Sequence, residues 1–204
     1  MPLPATCEEF ARLLDYSLLE PQLTDHQVVE GLDIARRLDF GCALVRPCDI
    51  DLAARHLQGS AVRPASVCGF PHGANNTATK LYEGRDLLRR GAREVELVAG
   101  VSKLLSREFQ HVQAELLQMS ESCHKEGAAF TAVIPTGYLA EELKIIALRC
   151  AERAEADFVA GPFPETALLR KYVPEEVGFC DAMTISAADK KAFFQTNAER
   201  VFKL

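Results

Sequence analysis

"EVELVAGVSKLLSREFQHVQAELLQMSESCHKEGAAFTAVIP", residues 94–135, holds one full turn of the pattern that organises the chain. It opens with a short apolar run, 94–100. A longer segment, 106–126, follows, with Phe109, Val112 and Leu116 spaced three and four apart on one helical face. A second apolar run, 129–135, closes it. Both runs read as strands, and neither alternates cleanly between polar and apolar residues. That suits a parallel sheet covered by helices, where strands are buried on both faces. Parallel neighbours need a crossover of a dozen or more residues, and the segment between them is long enough.

The same unit recurs outward in both directions. Strand-like runs lie at 13–17 ("LLDYS"), 41–47 ("GCALVRP"), 65–70 ("ASVCGF"), 157–161 ("DFVAG"), 176–180 ("EVGFC") and 199–204 ("ERVFKL"), which makes eight in all. Helices are expected at 24–38, 48–57, 77–90, 139–152, 164–171 and 186–195. The first of these starts with Thr24 and Gln27 at capping-box spacing and turns Val28, Leu32 and Ala35 inward. The fold class is therefore α/β. Eight βα-like units in 204 residues point to a small (β/α)8 barrel, near the lower size limit, forming a single domain over 1–204. The last run reaches the end of the sequence, so the final helix is expected to be missing. A doubly wound open sheet is the alternative, but no GxGxxG or GxxxxGK[ST] follows any strand.

Charge and composition exclude several function classes. Net charge is -6, with no Lys/Arg run, so neither a nucleic-acid footprint nor a membrane-surface patch is expected. Apolar runs are strand-sized, too short for a membrane span. "MPLPATCEEFARLLDY" has Pro and acids where a secretory signal needs a basic then apolar stretch, so the expected location is cytoplasmic. Seven cysteines without a CxxC read as reduced, mostly buried thiols.

In a barrel, chemistry sits at the C-terminal ends of the strands. Asp15, Arg46, His72, Glu94, Glu96, Thr131, Ala160, Cys180, Asp181 and Lys203 all lie on or just after strands. Glu96, between Val95 and Leu97, is expected to point inward. A buried carboxylate must be neutral or paired. It reads either as a general acid or base with a raised pKa, or as half of an ion pair with Arg46. His72, in "FPHG", is an acid/base candidate or a turn-fixing hydrogen bonder. Cys180 is a nucleophile candidate or a buried thiol. Lys203 can supply a Schiff-base amine only if desolvated, and it lies one residue from the terminus. Asp15, His72 and Glu96 can meet at a barrel mouth, but no ligand spacing supports a metal, and none is expected.

These motifs together resemble the 2-deoxyribose-5-phosphate aldolase family, which has a TIM barrel. "LLDYSLLEPQLT" is similar to its opening, and "GFPHG" to its third-strand signature. "TKLYEGRDLLRRGAREVELVAGVSKLL" follows its next helix and fourth strand, and "AVIPTGYL" its fifth. The resemblance implies a cofactor-free and metal-free retro-aldol cleavage of deoxyribose 5-phosphate. A strand-six lysine forms the Schiff base, a strand-seven lysine lowers its pKa, and a strand-four aspartate moves protons. Placed on this sequence, the opening aspartate is Asp15 and the strand-four acid is Glu96. Thr131 stands where a strand-five lysine is usual. The Schiff-base position holds Ala160, the second lysine position Cys180, and the phosphate-turn glycines Met183 and Thr184.

An alanine cannot form an imine. The sequence therefore suggests a relative without the family's retro-aldol activity, acting as a binding scaffold. The alternatives are a lyase or other carbonyl or sugar acid–base enzyme using Glu96, Asp15 and His72, and a residual aldolase with Lys203 as its amine. Arg46, Thr131 and Lys203 are binding candidates. A small carbonyl or sugar ligand and a homo- or hetero-oligomeric partner are the partners this reading allows.

Overall fold

A computed structural model describes residues 11–12 and 14–161, which belong to one compact unit, Thr6–Pro162. Six strands form one parallel sheet: β1 (Asp15–Leu18), β2 (Cys42–Val45), β3 (Arg63–Cys68), β4 (Glu94–Val98), β5 (Ala129–Val133) and β6 (Phe158–Ala160). The helices between them are α1 (Asp25–Leu38), α2 (Ile50–His56), α3 (Thr77–Arg89), α4 (Val101–Leu105), α5 (Phe109–Lys125) and α6 (Glu141–Arg153). Spatial order equals chain order, β1-β2-β3-β4-β5-β6. A doubly wound sheet reverses strand order at a switch point, and this one does not. The open-sheet alternative is thereby set aside for these residues, and successive βα units wind as in a barrel. The expected strands at 176–180 and 199–204, the helices at 164–171 and 186–195, and Cys180, Asp181, Met183, Thr184 and Lys203 lie outside the described residues.

Local chemistry explains the element ends. The Thr24 hydroxyl accepts from the Gln27 backbone N–H at 3.3 Å, and the Gln27 side chain accepts from the Thr24 N–H at 2.9 Å. This is the expected capping box, and it satisfies two of the free donors at the start of α1. Asp39 stops the helix in the left-handed region, at φ 57°. The helix expected over 106–126 forms as α5, and the short α4, which was not expected, precedes it. Arg107, at φ 59°, breaks the run between them, and Lys103 bridges the gap to Glu108 at 2.9 Å. The β3 run ends at Cys68 because Gly69 turns at φ +68°. Gly73, at φ +64°, lies so close to β4 that a Cβ there would meet the Ala99 carbonyl oxygen at 2.5 Å.

The sheet has two unlike faces, as strand side chains alternate. Ala43, Val45, Cys68, Val95, Leu97, Phe130 and Ala132 point to the helices and join Leu32, Leu87, Leu116 and Ala147 in the main core. Each fully buried large aliphatic here contributes about 1.5–3 kcal/mol. The opposite face carries a small apolar cluster, Cys42, Leu44, Ala65 and Val67, and beside it the polar residues described below. Among the described residues no helix is long and apolar enough to cross a membrane.

Candidate active site

The polar centre of this inner face is built by strand register. Asp15 stands beside Cys42 across β1 and β2, Val67 beside Glu96 across β3 and β4, and Glu96 beside Thr131 across β4 and β5. Glu94 and Glu96, two apart on β4, share one face. One ligand-type atom from each of Asp15, Cys42, Glu94 and Glu96 lies within 4.8 Å of all the others.

Glu94 is well held. Its Oε1 accepts from the Thr131 hydroxyl at 2.7 Å, and its Oε2 from Arg63 Nε at 2.9 Å. Burial still pushes its pKa up, against the pull of Thr131 and Arg63. The Cys42 thiol donates to Asp15 Oδ1 at 2.9 Å. Burial drives that thiol well above its usual pKa, and the neighbouring Asp15 and Glu94 add to the effect.

Glu96 is different. It is only 5% exposed, and among the described residues it forms no hydrogen bond. Every fully buried side-chain nitrogen and oxygen of the described residues does have a partner. The little access Glu96 keeps is therefore at its carboxylate oxygens. Burial first, then Asp15 and Glu94, raise its pKa from 4.5 to about 8. The inward orientation agrees with the sequence-based expectation, and the raised pKa with one of its two readings.

The ion pair with Arg46, the other reading of Glu96, does not form. Arg46 Nε binds Asp49 Oδ2 at 2.6 Å, and its Nη1 reaches the carbonyls of Glu20 at 3.3 Å and Pro21 at 3.1 Å. The physical reason is local. Pro47–Asp49 forms a 3-10 turn directly after Arg46, which delivers Asp49 three residues on to hydrogen-bond distance. Arg46 thus pins the loop before α1. His72 is exposed in the loop after β3, and its ring meets Tyr138 edge-on, centroids 6.4 Å apart. It stays outside the acidic group. Thr131 is buried and serves Glu94.

Ala160 ends β6 beside Val133, so the Schiff-base position of the sequence comparison presents a methyl group. The lysines of the described residues, Lys80, Lys103, Lys125 and Lys144, all lie on helices. Sequence reasoning missed Cys42 and Arg63. Both sit at the inward parity of their strands, level with Asp15, but only the register across β1, β2 and β3 reveals that.

No protein-family model matches the chain. Curated relatives do. The deoxyribose-phosphate aldolase of Caldanaerobacter subterraneus subsp. tengcongensis is 33% identical over 202 residues, covering 94% of this chain and 87% of the relative. That of Treponema denticola is 33% identical over 153 residues, covering 74% and 70%. Among solved structures, the tetrameric deoxyribose phosphate aldolase from Aeropyrum pernix matches with TM-score 0.69 and 25% identity, over 76% of this chain and 64% of that one. A Coccidioides immitis chain given the same aldolase name reaches TM-score 0.73 at 24% identity, over 79% and 62%, a likeness of fold. The structural matches thus span less than two thirds of those two chains. With one third of its residues shared over nearly its whole length, the chain belongs to the deoxyribose-phosphate aldolase family.

Proposed function

We propose that this chain is a family member without Schiff-base retro-aldol chemistry, a single barrel domain over 1–204 that acts in the cytoplasm by binding a small carbonyl or sugar compound. The observation that carries this reading is Ala160 at the end of β6, together with an inner sheet face to which no described lysine belongs. An imine needs a primary amine at the carbonyl carbon, and a methyl group cannot be tuned into one. Thr131, where the family's strand five usually bears lysine, donates to Glu94 instead. A homo- or hetero-oligomeric partner is part of the same reading, and nucleic acid and membrane are not.

A second reading is favoured by the placement of Glu96. Buried, inward and beside Asp15, it is suited to proton transfer at a carbonyl or sugar without a covalent intermediate. His72 stays outside the acidic group and is left to the rim of such a site.

Borohydride trapping tests the main reading. The full chain is mixed with deoxyribose 5-phosphate or acetaldehyde, reduced, and weighed by mass spectrometry beside an active family member. No adduct on this chain is expected. An adduct mapped to one lysine, Lys203 above all, overturns the reading and restores a residual aldolase. The Ala160→Lys variant is expected to cleave deoxyribose 5-phosphate far below the active member's rate. Equal rates would mean that the rest of the catalytic apparatus is intact.

A further inference from the structure

We propose that Asp15, Cys42, Glu94 and Glu96 form a binding site for one divalent transition-metal cation of the zinc and cobalt class. This goes beyond the reading above and does not depend on it, since it concerns the inner face of β1, β2 and β4 alone.

Geometry comes first. The four ligand-type atoms lie within 4.8 Å of one another. Around a tetrahedral zinc, bonds of about 2.0–2.3 Å place ligand atoms about 3.3–3.8 Å apart. Closing the set onto an ion therefore takes side-chain movements of about 1 Å. The backbone of three strands in fixed register holds all four. Sites built on strands are more precise than sites on loops.

An independent observation points to a ligand. Glu96 is 95% buried, as its exposure is 5%, yet no described residue gives it a hydrogen bond. An unpartnered buried carboxylate is costly, and a Glu96 oxygen lies within 4.8 Å of a ligand-type atom of each of Asp15, Cys42 and Glu94. The charge balance points the same way. Two buried carboxylates, Glu94 and Glu96, and the exposed Asp15 share the site with one described guanidinium, Arg63, whose side chain is 36% exposed. Buried charges of one sign call for a counter-charge, and a divalent cation at the shared centre supplies it directly.

The donor set decides the class of metal. Three carboxylates alone would suit magnesium or calcium, with six or more oxygens. The Cys42 sulfur shifts the preference toward zinc and cobalt. Binding displaces the thiol proton to solvent, and the metal–sulfur bond replaces the hydrogen bond to Asp15. Thr131 and Arg63 already orient Glu94, which is the support that ligating carboxylates commonly have around bound metals.

The test uses the full chain, stripped with a chelator and dialysed. Zinc is titrated by calorimetry and cobalt by absorption. One-to-one binding is expected, with a thiolate-to-cobalt charge-transfer band and the intense visible bands of a tetrahedral ion. Cys42→Ser should abolish the charge-transfer band. Glu96→Gln, which keeps the volume and removes one buried acid, should weaken binding by more than about 100-fold, beyond what loss of a supporting residue does. X-ray absorption on the zinc-loaded wild type needs no variant and should show one sulfur and three oxygen neighbours. No saturable binding below about 1 mM, a weaker affinity than ordinary metal sites show, overturns the proposal. So does a sulfur- or nitrogen-dominated shell, or unchanged binding in both variants, which would place the metal at other residues.

Discussion

The buried pair of Lys80 and Glu115 offers a sharp energetic test of the fold. Lys80 is 1% exposed and Glu115 3%, with Nζ 2.8 Å from Oε2. Lys80 also donates to the Val98 carbonyl at 3.0 Å, at the end of β4, and Glu115 accepts from the Thr77 hydroxyl at 2.9 Å. The pair therefore ties α3 and α5 to the strand that carries Glu94 and Glu96. In Glu115→Leu the ammonium stays buried without its counter-charge. In Lys80→Met the carboxylate is stranded and the Val98 carbonyl loses its donor. Breaking a buried pair in this way costs about 3–5 kcal/mol. For a chain of this size that lowers the thermal midpoint by about 6–20 °C. The double variant Lys80→Met/Glu115→Leu removes both charges and both desolvation penalties, so it should be more stable than either single variant. The assay is urea unfolding of all four proteins as a double-mutant cycle, with thermal midpoints alongside. A coupling energy below about 1 kcal/mol would refute the reasoning, since that is the range of exposed ion pairs. So would a double variant that merely sums the two single losses.

Two further outcomes follow from local structure. Gly73→Ala forces an L-residue to φ +64° and drives its Cβ toward the Ala99 oxygen at 2.5 Å, so it should lose more than about 1 kcal/mol in urea unfolding; an unchanged midpoint would mean that the loop gives way freely. For pH, burial pushes Asp157 up, but the Phe130 N–H at 2.8 Å and His124 at 2.9 Å outweigh it, so its pKa lies below the usual 3.8. A depressed carboxyl adds stability above its unfolded pKa and loses it as pH falls through the folded value. Wild-type stability should thus carry an acid-limb loss below about pH 4 that Asp157→Asn lacks. Unfolding curves with the same pH slope for both proteins would rule out that role.

Much of this protein was legible because its signals are local. Thr24 and Gln27 lie three residues apart, and their reciprocal bonds need no tertiary partner, so the start of α1 could be read directly. The apolar runs of β2, β4 and β5 declared buried parallel strands, and Val95 and Leu97 around Glu96 implied an inward carboxyl. The missing amine at Ala160 was equally plain, because a side chain that is absent needs no coordinates. Where the reading failed, the deciding contact was a competition. The sequence reading pairs Arg46 only with Glu96, and the turn at Pro47–Asp49 gives it Asp49, three residues away, instead.

The acidic centre belongs to the tertiary structure. Cys42 lies 27 residues from Asp15, Arg63 lies 31 from Glu94, and Thr131 lies 37 from Glu94. Each looks unremarkable in its own strand. Sequence determined which residues form strands, which face the helices and which reactive groups are missing, because those depend on period and side-chain identity. Only strand register decided that Asp15, Cys42, Glu94 and Glu96 meet, because a shift of one residue in any pairing would turn that strand's members to the opposite face.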